Sequence, residues 1–177
     1  AVGLPPHEPE VAELIGRADV LLAVGGDLDG MNTRYWTMPR PPRLVTLDPT
    51  PPADAPEWVP DAAVAGRLGD ALRGLRDRLP ARPPWAPADL GERARARLAA
   101  DPVSAEAMAL VTAVEAARTD ETVLVCDMAV AGYWVGGYAS APGPRRLAYP
   151  VGWGTLGFGL PAAIGPAAAG HPVIAIC

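Results

Sequence analysis

The sequence predicts an α/β fold, and three observations predict it. Short strands that are apolar throughout alternate with helix-like segments, which is typical of parallel sheets covered on both faces. Several of these strands end directly before a glycine or an acidic residue. A proline-rich stretch near the middle divides the chain into two such patterns. We therefore predict two partial Rossmann-like parallel-sheet units joined by a Pro-rich linker.

The first unit begins with a helix over residues 8–18, because Val11, Leu14, Ile15 and Ala18 recur at helical spacing. Two apolar strands follow, at Val20–Val24 and at Arg43–Asp48. The next helix is marked by leucines three or four residues apart, at positions 68, 72, 75 and 79.

The stretch Pro80–Pro87 contains four prolines in eight residues, which predicts a stiff and extended connector. A helix rich in Arg and Ala follows over residues 88–100. These features predict a first domain at 1–80, a linker at 81–100 and a second domain at 101–177.

In the second domain Ser104 is the predicted N-cap of a helix that runs through Arg118. The remaining segments are expected in the order strand, helix, a stretch without an assigned element, helix, strand. They occupy 122–126, 129–138, 146–149, the stretch that ends at Ala169, and 172–177, with a kink or break expected at Pro166.

Composition excludes some functions. All 15 basic residues are Arg and the formal net charge is −5, so a nucleic-acid interface is not expected. Cys126 and Cys177 lie in apolar strands, and we expect both to be buried free thiols in a reducing, cytoplasmic compartment.

The chain opens without the basic start and apolar core of a secretory signal. Residues 150–177 carry no formal charge, but six glycines, four prolines and His171 interrupt them. This composition favours a buried ligand-binding segment over a membrane helix.

The segment Gly152–Gly165 is the most informative part of the chain. Glycine has no Cβ, so main chain here can approach a ligand closely, and ligands of parallel sheets bind beyond the carboxyl ends of strands. Gly152, Gly154 and Gly157 satisfy the dinucleotide fingerprint G-x-G-x-x-G. However, no Asp or Glu follows Gly157 to hold a ribose, which argues against that interpretation.

Four stretches of the second domain come in a recognisable order. They are Val123–Asp127, the pair Tyr133-Trp134, the segment Gly154–Gly165 with sequence GTLGFGLPAAIG, and Val173–Cys177. Together, residues 121–177 resemble the opening of the diphosphate-binding domain of thiamine-diphosphate-dependent enzymes, of the acetolactate synthase and benzoylformate decarboxylase type.

Residues 10–79 are similar to the second half of the central domain of the same family. The stretches Ala18–Gly25, Arg43–Asp48 and Gly66–Leu72 carry this second, less specific resemblance. The chain is thus interpreted as a fragment of a longer enzyme.

The resemblance implies roles for three residues of the glycine segment. The Gly154 carbonyl would accept a hydrogen bond from the 4′-amino group of the cofactor pyrimidine. Leu156 would be the apolar wedge beneath the bent cofactor, with Thr155 between them also in contact. The alternative is an ordinary glycine-rich turn with Leu156 in the core.

The loop after the strand 122–126 is expected to face the cofactor diphosphate through Asp127, Ala129 and Val130. Main-chain N–H groups at the following helix start are suited to an anion, whereas Asp127 either caps a helix or faces the diphosphate loop. The family's Mg²⁺ motif follows the strand that ends at Cys177, and its catalytic glutamate lies in an N-terminal domain. No catalytic or metal-binding residue is therefore nominated here.

The activity implied is decarboxylation of a 2-oxo acid, with or without carboligation, in a homodimer or homotetramer. An alternative is a nucleotide- or flavin-binding module without catalysis, with Gly25-Gly26-Asp27 and Asp48 as its site, although an ordinary turn is favoured there and FAD is not expected. Arg145 and Arg146 either meet a carboxylate substrate or lie in a solvated loop.

Overall fold

The structure is a computed structural model that describes residues 4–26, 28–50, 57–83 and 89–177. It divides into an N-terminal unit, Pro5–Leu90, and a C-terminal unit, Gly91–Cys177 together with Leu4. Each unit contains a three-stranded parallel sheet, so the predicted α/β class is confirmed. Asp27 and residues 84–88 of the predicted linker lie outside the described residues.

The described residues of the N-terminal unit form five elements. They are α1 (Pro9–Gly16), β1 (Val20–Val24), β2 (Arg43–Asp48), β3 (Ala62–Ala65) and α2 (Leu68–Arg76). The strand order is β1-β2-β3. The two predicted strands are confirmed to the residue, whereas β3 was not predicted.

One face of the N-terminal sheet packs against α1. Ala12 of α1 forms a buried cluster with Met38, Leu44 and Trp58, and Ile15 and Leu21 pack around it. The predicted core face of α1 is therefore confirmed for Val11, which is buried, and for Ile15, whereas Ala12 is buried although it was not assigned to that face.

The expectation that both faces of this sheet are covered is wrong for β1 within the described residues. Val20, Leu22 and Val24, on the other face of β1, are 38–49% exposed. The leucine face of α2 is likewise only partly covered, and α2 has no buried residue.

The C-terminal unit has its sheet in the order β5-β4-β6, with β4 in the centre. Its elements are α3 (Leu90–Ala100), which starts at the boundary between the units, α4 (Ala105–Ala117), β4 (Val123–Cys126), α5 (Val130–Tyr138), β5 (Leu147–Ala148), α6 (Gly159–Ala168) and β6 (Val173–Ile176). All of these except β5, which lies in the stretch 146–149 that was given no element, were predicted, and their bounds differ from the predicted ones by one or two residues.

Both faces of β4 are buried, which explains why its sequence is apolar throughout. Leu124 and Cys126 belong to a large cluster with residues of α4 and α5. Val123 and Val125 face the other way and pack with Ala163 of α6. The core of the unit therefore lies on both sides of its central strand.

Ser104 occupies the predicted N-cap position of α4 but makes no side-chain capping bond. Its hydroxyl instead donates to the Leu98 carbonyl at 2.7 Å, which ties the end of α3 to the start of α4. Helix α6 contains Pro166 and continues through it to Ala168. The expected break at Pro166 does not occur.

The two cysteines differ in environment. Cys126 is a buried free thiol whose pKa burial raises to about 11, with a smaller effect from Cys177. Cys177 is exposed, so the expectation that both thiols are buried is wrong for Cys177. Among the described residues, no helix has the length and apolarity needed to cross a membrane.

Candidate functional site

The predicted site residues meet at the carboxyl edge of the C-terminal sheet. Cys126, the last residue of β4, pairs in register with Ile176, the last residue of β6. Helices α5 and α6 both begin at this edge, because each parallel strand is followed or preceded by a helix that runs the opposite way. Loop residues between β4 and α5 therefore lie beside the glycine segment.

Asp127, the residue after β4, joins these two segments. One carboxylate oxygen, Oδ2, accepts from the Gly159 N–H at 2.9 Å. The other, Oδ1, accepts from the Gly157 N–H at 3.0 Å and from the Met128 N–H at 2.7 Å. The Asp127 side chain thus fixes the glycine segment, some 30 residues further along the chain, to the end of β4.

The carboxylate of Asp127 is also the cap of α6. The side chain is almost completely buried, with the residue 7% exposed. The N–H of Gly159, followed by those of Met128 and Gly157, lowers the pKa of Asp127, although burial acts in the opposite sense. A carboxylate at the first turn of a helix is also favoured by the helix dipole.

Main chain around Gly154 is open. Gly154 adopts a left-handed φ of 65°, and its N–H donates to the Pro150 carbonyl at 2.9 Å. Within the described ranges its carbonyl oxygen accepts no hydrogen bond. A Cβ added at Gly154 would meet only the Met128 methyl group, at 3.9 Å. A flat ligand could therefore approach this carbonyl.

Leu156 is 77% exposed and belongs to none of the buried clusters of the unit. The alternative that it is a core residue is therefore not supported. Thr155 is also exposed. These three predicted cofactor residues, Gly154, Thr155 and Leu156, form one accessible stretch whose function stays a prediction.

The start of α5 provides a second feature of the same edge. Ala129 is its N-cap residue and makes no side-chain capping bond, and Val130 at its first position is 72% exposed. The N-terminus of α6, in contrast, already holds the Asp127 carboxylate. Of these two helix starts, α5 is the one whose N–H groups are available to an anion.

Two glycines of α5 were missed as site-forming residues. A Cβ at Gly132 would lie 1.9 Å from the Asp127 carbonyl oxygen, and one at Gly136 would lie 2.7 Å from the Tyr149 ring. Glycine in a helix costs about 1 kcal/mol relative to alanine. Three glycines in this short helix were therefore a usable signal for close approach.

Arg145 and Arg146 lie away from this edge. Arg146 directly precedes β5, and it forms an ion pair at 2.8 Å with Glu121, which lies just before β4. Both arginines are therefore at the edge where the parallel strands begin. The option that they meet a carboxylate substrate beside Gly154 is not supported. His171 is exposed, and its Nδ1 lies 3.3 Å from Arg146.

The alternative nucleotide site in the N-terminal unit forms an ordinary turn where it is described. Gly25 has a φ of 63° and donates its N–H to the Leu47 carbonyl. The Asp48 carboxylate accepts from the Thr50 N–H at 3.2 Å. Asp27, the acid of this motif, lies outside the described residues.

No group of three or more His, Cys, Asp or Glu residues suited to a metal ion occurs in the part of the chain that the structure describes. The carboxylate nearest to the glycine segment, that of Asp127, is occupied by main-chain N–H groups. A metal ion at this edge would therefore need ligands other than this side chain.

Comparison with known proteins gives one informative likeness. The chain is 34% identical over 180 aligned residues to the probable 2-ketoarginine decarboxylase AruI of Pseudomonas aeruginosa. The alignment covers 92% of this chain and 32% of that protein, so the chain spans about a third of the length of the curated relative it matches. No protein-family profile matches the chain.

Proposed function

We propose that this chain is part of a thiamine-diphosphate- and Mg²⁺-dependent enzyme that decarboxylates a 2-oxo acid. The observation that carries the proposal is the open main chain at Gly154, held in place by the Asp127 carboxylate. The likeness to a protein described as a decarboxylase supports the same reaction class.

The residues at this edge fit the pyrimidine half of the cofactor. The Gly154 carbonyl has no other partner among the described residues, so it can accept from an aromatic amino group. Leu156 lies two residues on, exposed and without polar atoms. Its role in the proposal is to support the ring and to exclude water from it.

The diphosphate half fits the start of α5. The uncapped N–H groups after Ala129 are suited to bind phosphate oxygens. When bound, thiamine diphosphate supplies an electron sink for the electrons released as a 2-oxo acid loses carbon dioxide. The protein contributes orientation and exclusion of water, and its proposed Mg²⁺ ligands are not among the described residues.

The proposed substrate class is a 2-oxo acid, in line with the name of the relative. 2-Ketoarginine is one candidate, and it combines a 2-oxo carboxylate with a cationic guanidinium. Transfer of the product carbanion to a second carbonyl compound, as in acetolactate synthase, is the alternative outcome of the same chemistry.

A second protein surface is proposed to cover the site. Large apolar side chains are exposed around the carboxyl edge and on α6, namely Val130, Tyr133, Trp153, Leu156, Leu160 and Ile164. Large exposed apolar patches mark interaction sites in soluble proteins. We assign this surface to the partner subunit of a homodimer or homotetramer.

Carbon dioxide release by the full-length protein tests this function. We expect 2-oxo acids, with 2-ketoarginine among them, to be decarboxylated only when both thiamine diphosphate and Mg²⁺ are supplied. Removal of Mg²⁺ with a chelator should abolish turnover, and added Mg²⁺ should restore it. A purified protein with flavin absorbance and no response to thiamine diphosphate would instead favour the nucleotide-binding alternative.

A further inference from the structure

A cavity with a volume of about 430 Å³ lies in the C-terminal unit. Its floor is formed by Val123, Val125 and Ala148, which share one face of the sheet because Val125 pairs in register with Ala148. Ala162 and Pro166, one helical turn apart on α6, form its wall. We call this cavity the edge groove, since it runs between α6 and the edge strand β5.

The edge groove is separate from the proposed cofactor site. Its polar residues, Arg145, Arg146 and His171, lie where β5 and β6 begin. Gly154 and Leu156 belong to the loops at the opposite edge, where β4 and β6 end. A four-residue strand spans about 13 Å, so a ligand in the groove mouth would not contact the glycine segment.

Two of these polar residues are already engaged. Arg146 donates to the Glu121 carboxylate at 2.8 Å and to the Glu121 carbonyl at 3.2 Å, and its Nη1 lies 3.3 Å from His171 Nδ1. The charge of Arg146 is thus compensated by Glu121. The guanidinium of Arg145 is therefore the charged group at this cavity that can pair with a ligand.

Arg145 is exposed and makes no hydrogen bond or ion pair with any residue that the structure describes. Its φ is 61°, a left-handed conformation that favours glycine over a long side chain. An arginine in such a position, beside an apolar cavity, places an uncompensated cation at the groove mouth.

From this arrangement we infer that the edge groove binds a small monocarboxylate with a short aliphatic chain. The aliphatic part packs on the half-buried lining residues Ala148, Ala162 and Pro166, and the carboxylate pairs with Arg145. A volume near the lower end of typical ligand pockets, about 300–1,000 Å³, suits a small molecule. A single uncompensated guanidinium favours one negative charge over a polyphosphate.

Titration of the full-length protein with hexanoate, followed by calorimetry and by ligand-observed NMR, tests this site. Two control probes separate the contributions. Hexan-1-ol has the aliphatic tail without the charge, and acetate has the charge without the aliphatic tail. We expect hexanoate to bind at least tenfold more tightly than either probe. Arg145→Gln should remove this preference, whereas Arg82→Gln, a matched exposed arginine in the N-terminal unit, should leave it unchanged.

A variant that narrows the groove, Ala148→Leu, should weaken hexanoate binding while Arg145 is intact. Equal affinity for hexanoate and hexan-1-ol would overturn the assignment of Arg145. Absence of hexanoate binding by the folded full-length wild type would overturn the site as a whole. Neither result bears on carbon dioxide release, so this inference and the proposed function can fail separately.

Discussion

Replacing Gly132 with alanine is expected to destabilise the C-terminal unit more than any other single methyl addition considered for its glycines. The added Cβ would lie 1.9 Å from the Asp127 carbonyl oxygen, a main-chain atom that cannot rotate away. Overpacking of a core typically costs about 1–3 kcal/mol and more where backbone must shift. We expect about 3 kcal/mol for Gly132→Ala.

Hydrogen exchange of the β4 amides measures this effect within the C-terminal unit, and Gly165→Ala is the matched control. Gly165 also lies in a helix, but a Cβ there meets nothing within 4 Å. Alanine should stabilise that helix by up to about 1 kcal/mol. Equal protection of β4 in both variants would show that α5 does not approach Asp127 as described.

Loss of the Asp127 carboxylate is expected to have the largest effect on cofactor binding. Asp127→Ala leaves the N–H groups of Gly157 and Gly159 without their acceptor, so the glycine segment loses its anchor to β4. A displacement of about 1 Å at a site can cost about a hundredfold in rate. We expect a loss of that order in turnover, together with weaker binding of thiamine diphosphate.

Asp120→Asn is the control, because Asp120 is an exposed acid of the same unit at the opposite edge of the sheet. It should bind the cofactor as the wild type does. Asp127→Asn keeps one acceptor oxygen and should fall between wild type and Asp127→Ala. If all three variants bound thiamine diphosphate equally well, Asp127 would have no positioning role.

Acid stability reports the same contact without any cofactor. Since the pKa of folded Asp127 is lowered, its stabilising contribution is present above the ordinary aspartate value of about 3.9. This stabilising contribution is lost as the pH falls through the pKa that Asp127 has in the folded protein, which is the lower of the two. The urea midpoint of the wild type should therefore fall more between pH 6 and pH 3 than that of Asp127→Asn.

Much of the fold follows from local sequence patterns. The strands β1, β2, β4 and β6 are apolar runs next to glycine, acid or proline, and the structure has them within one or two residues of prediction. The strand β3, Ala62–Ala65, was missed because alanine has little strand preference. Both faces of β1 were expected to be covered, but one is partly exposed. An apolar sequence shows that a strand can be buried, and it does not show which elements pack against it.

The candidate site was only partly predictable. The glycine pattern indicated exposed main chain at Gly154, and the structure has that residue open. For Asp127 the sequence indicated two alternative roles, capping a helix or facing the diphosphate. It did not decide between them, because the pairing of a carboxylate with N–H groups 30 residues away depends on tertiary structure. The contact at Gly132 was missed although glycines inside a helix signalled it.

Calorimetric titration of the full-length protein with thiamine diphosphate in saturating Mg²⁺ tests the central claim most directly. Wild type is compared with Gly154→Ala and Leu156→Gly, and Val103→Gly is the control because Val103, like Leu156, is an exposed apolar residue but lies outside the segment. We predict binding by wild type and Val103→Gly, and at least tenfold weaker binding by both segment variants. Indistinguishable affinities in all four proteins, or no binding by wild type, would contradict the account.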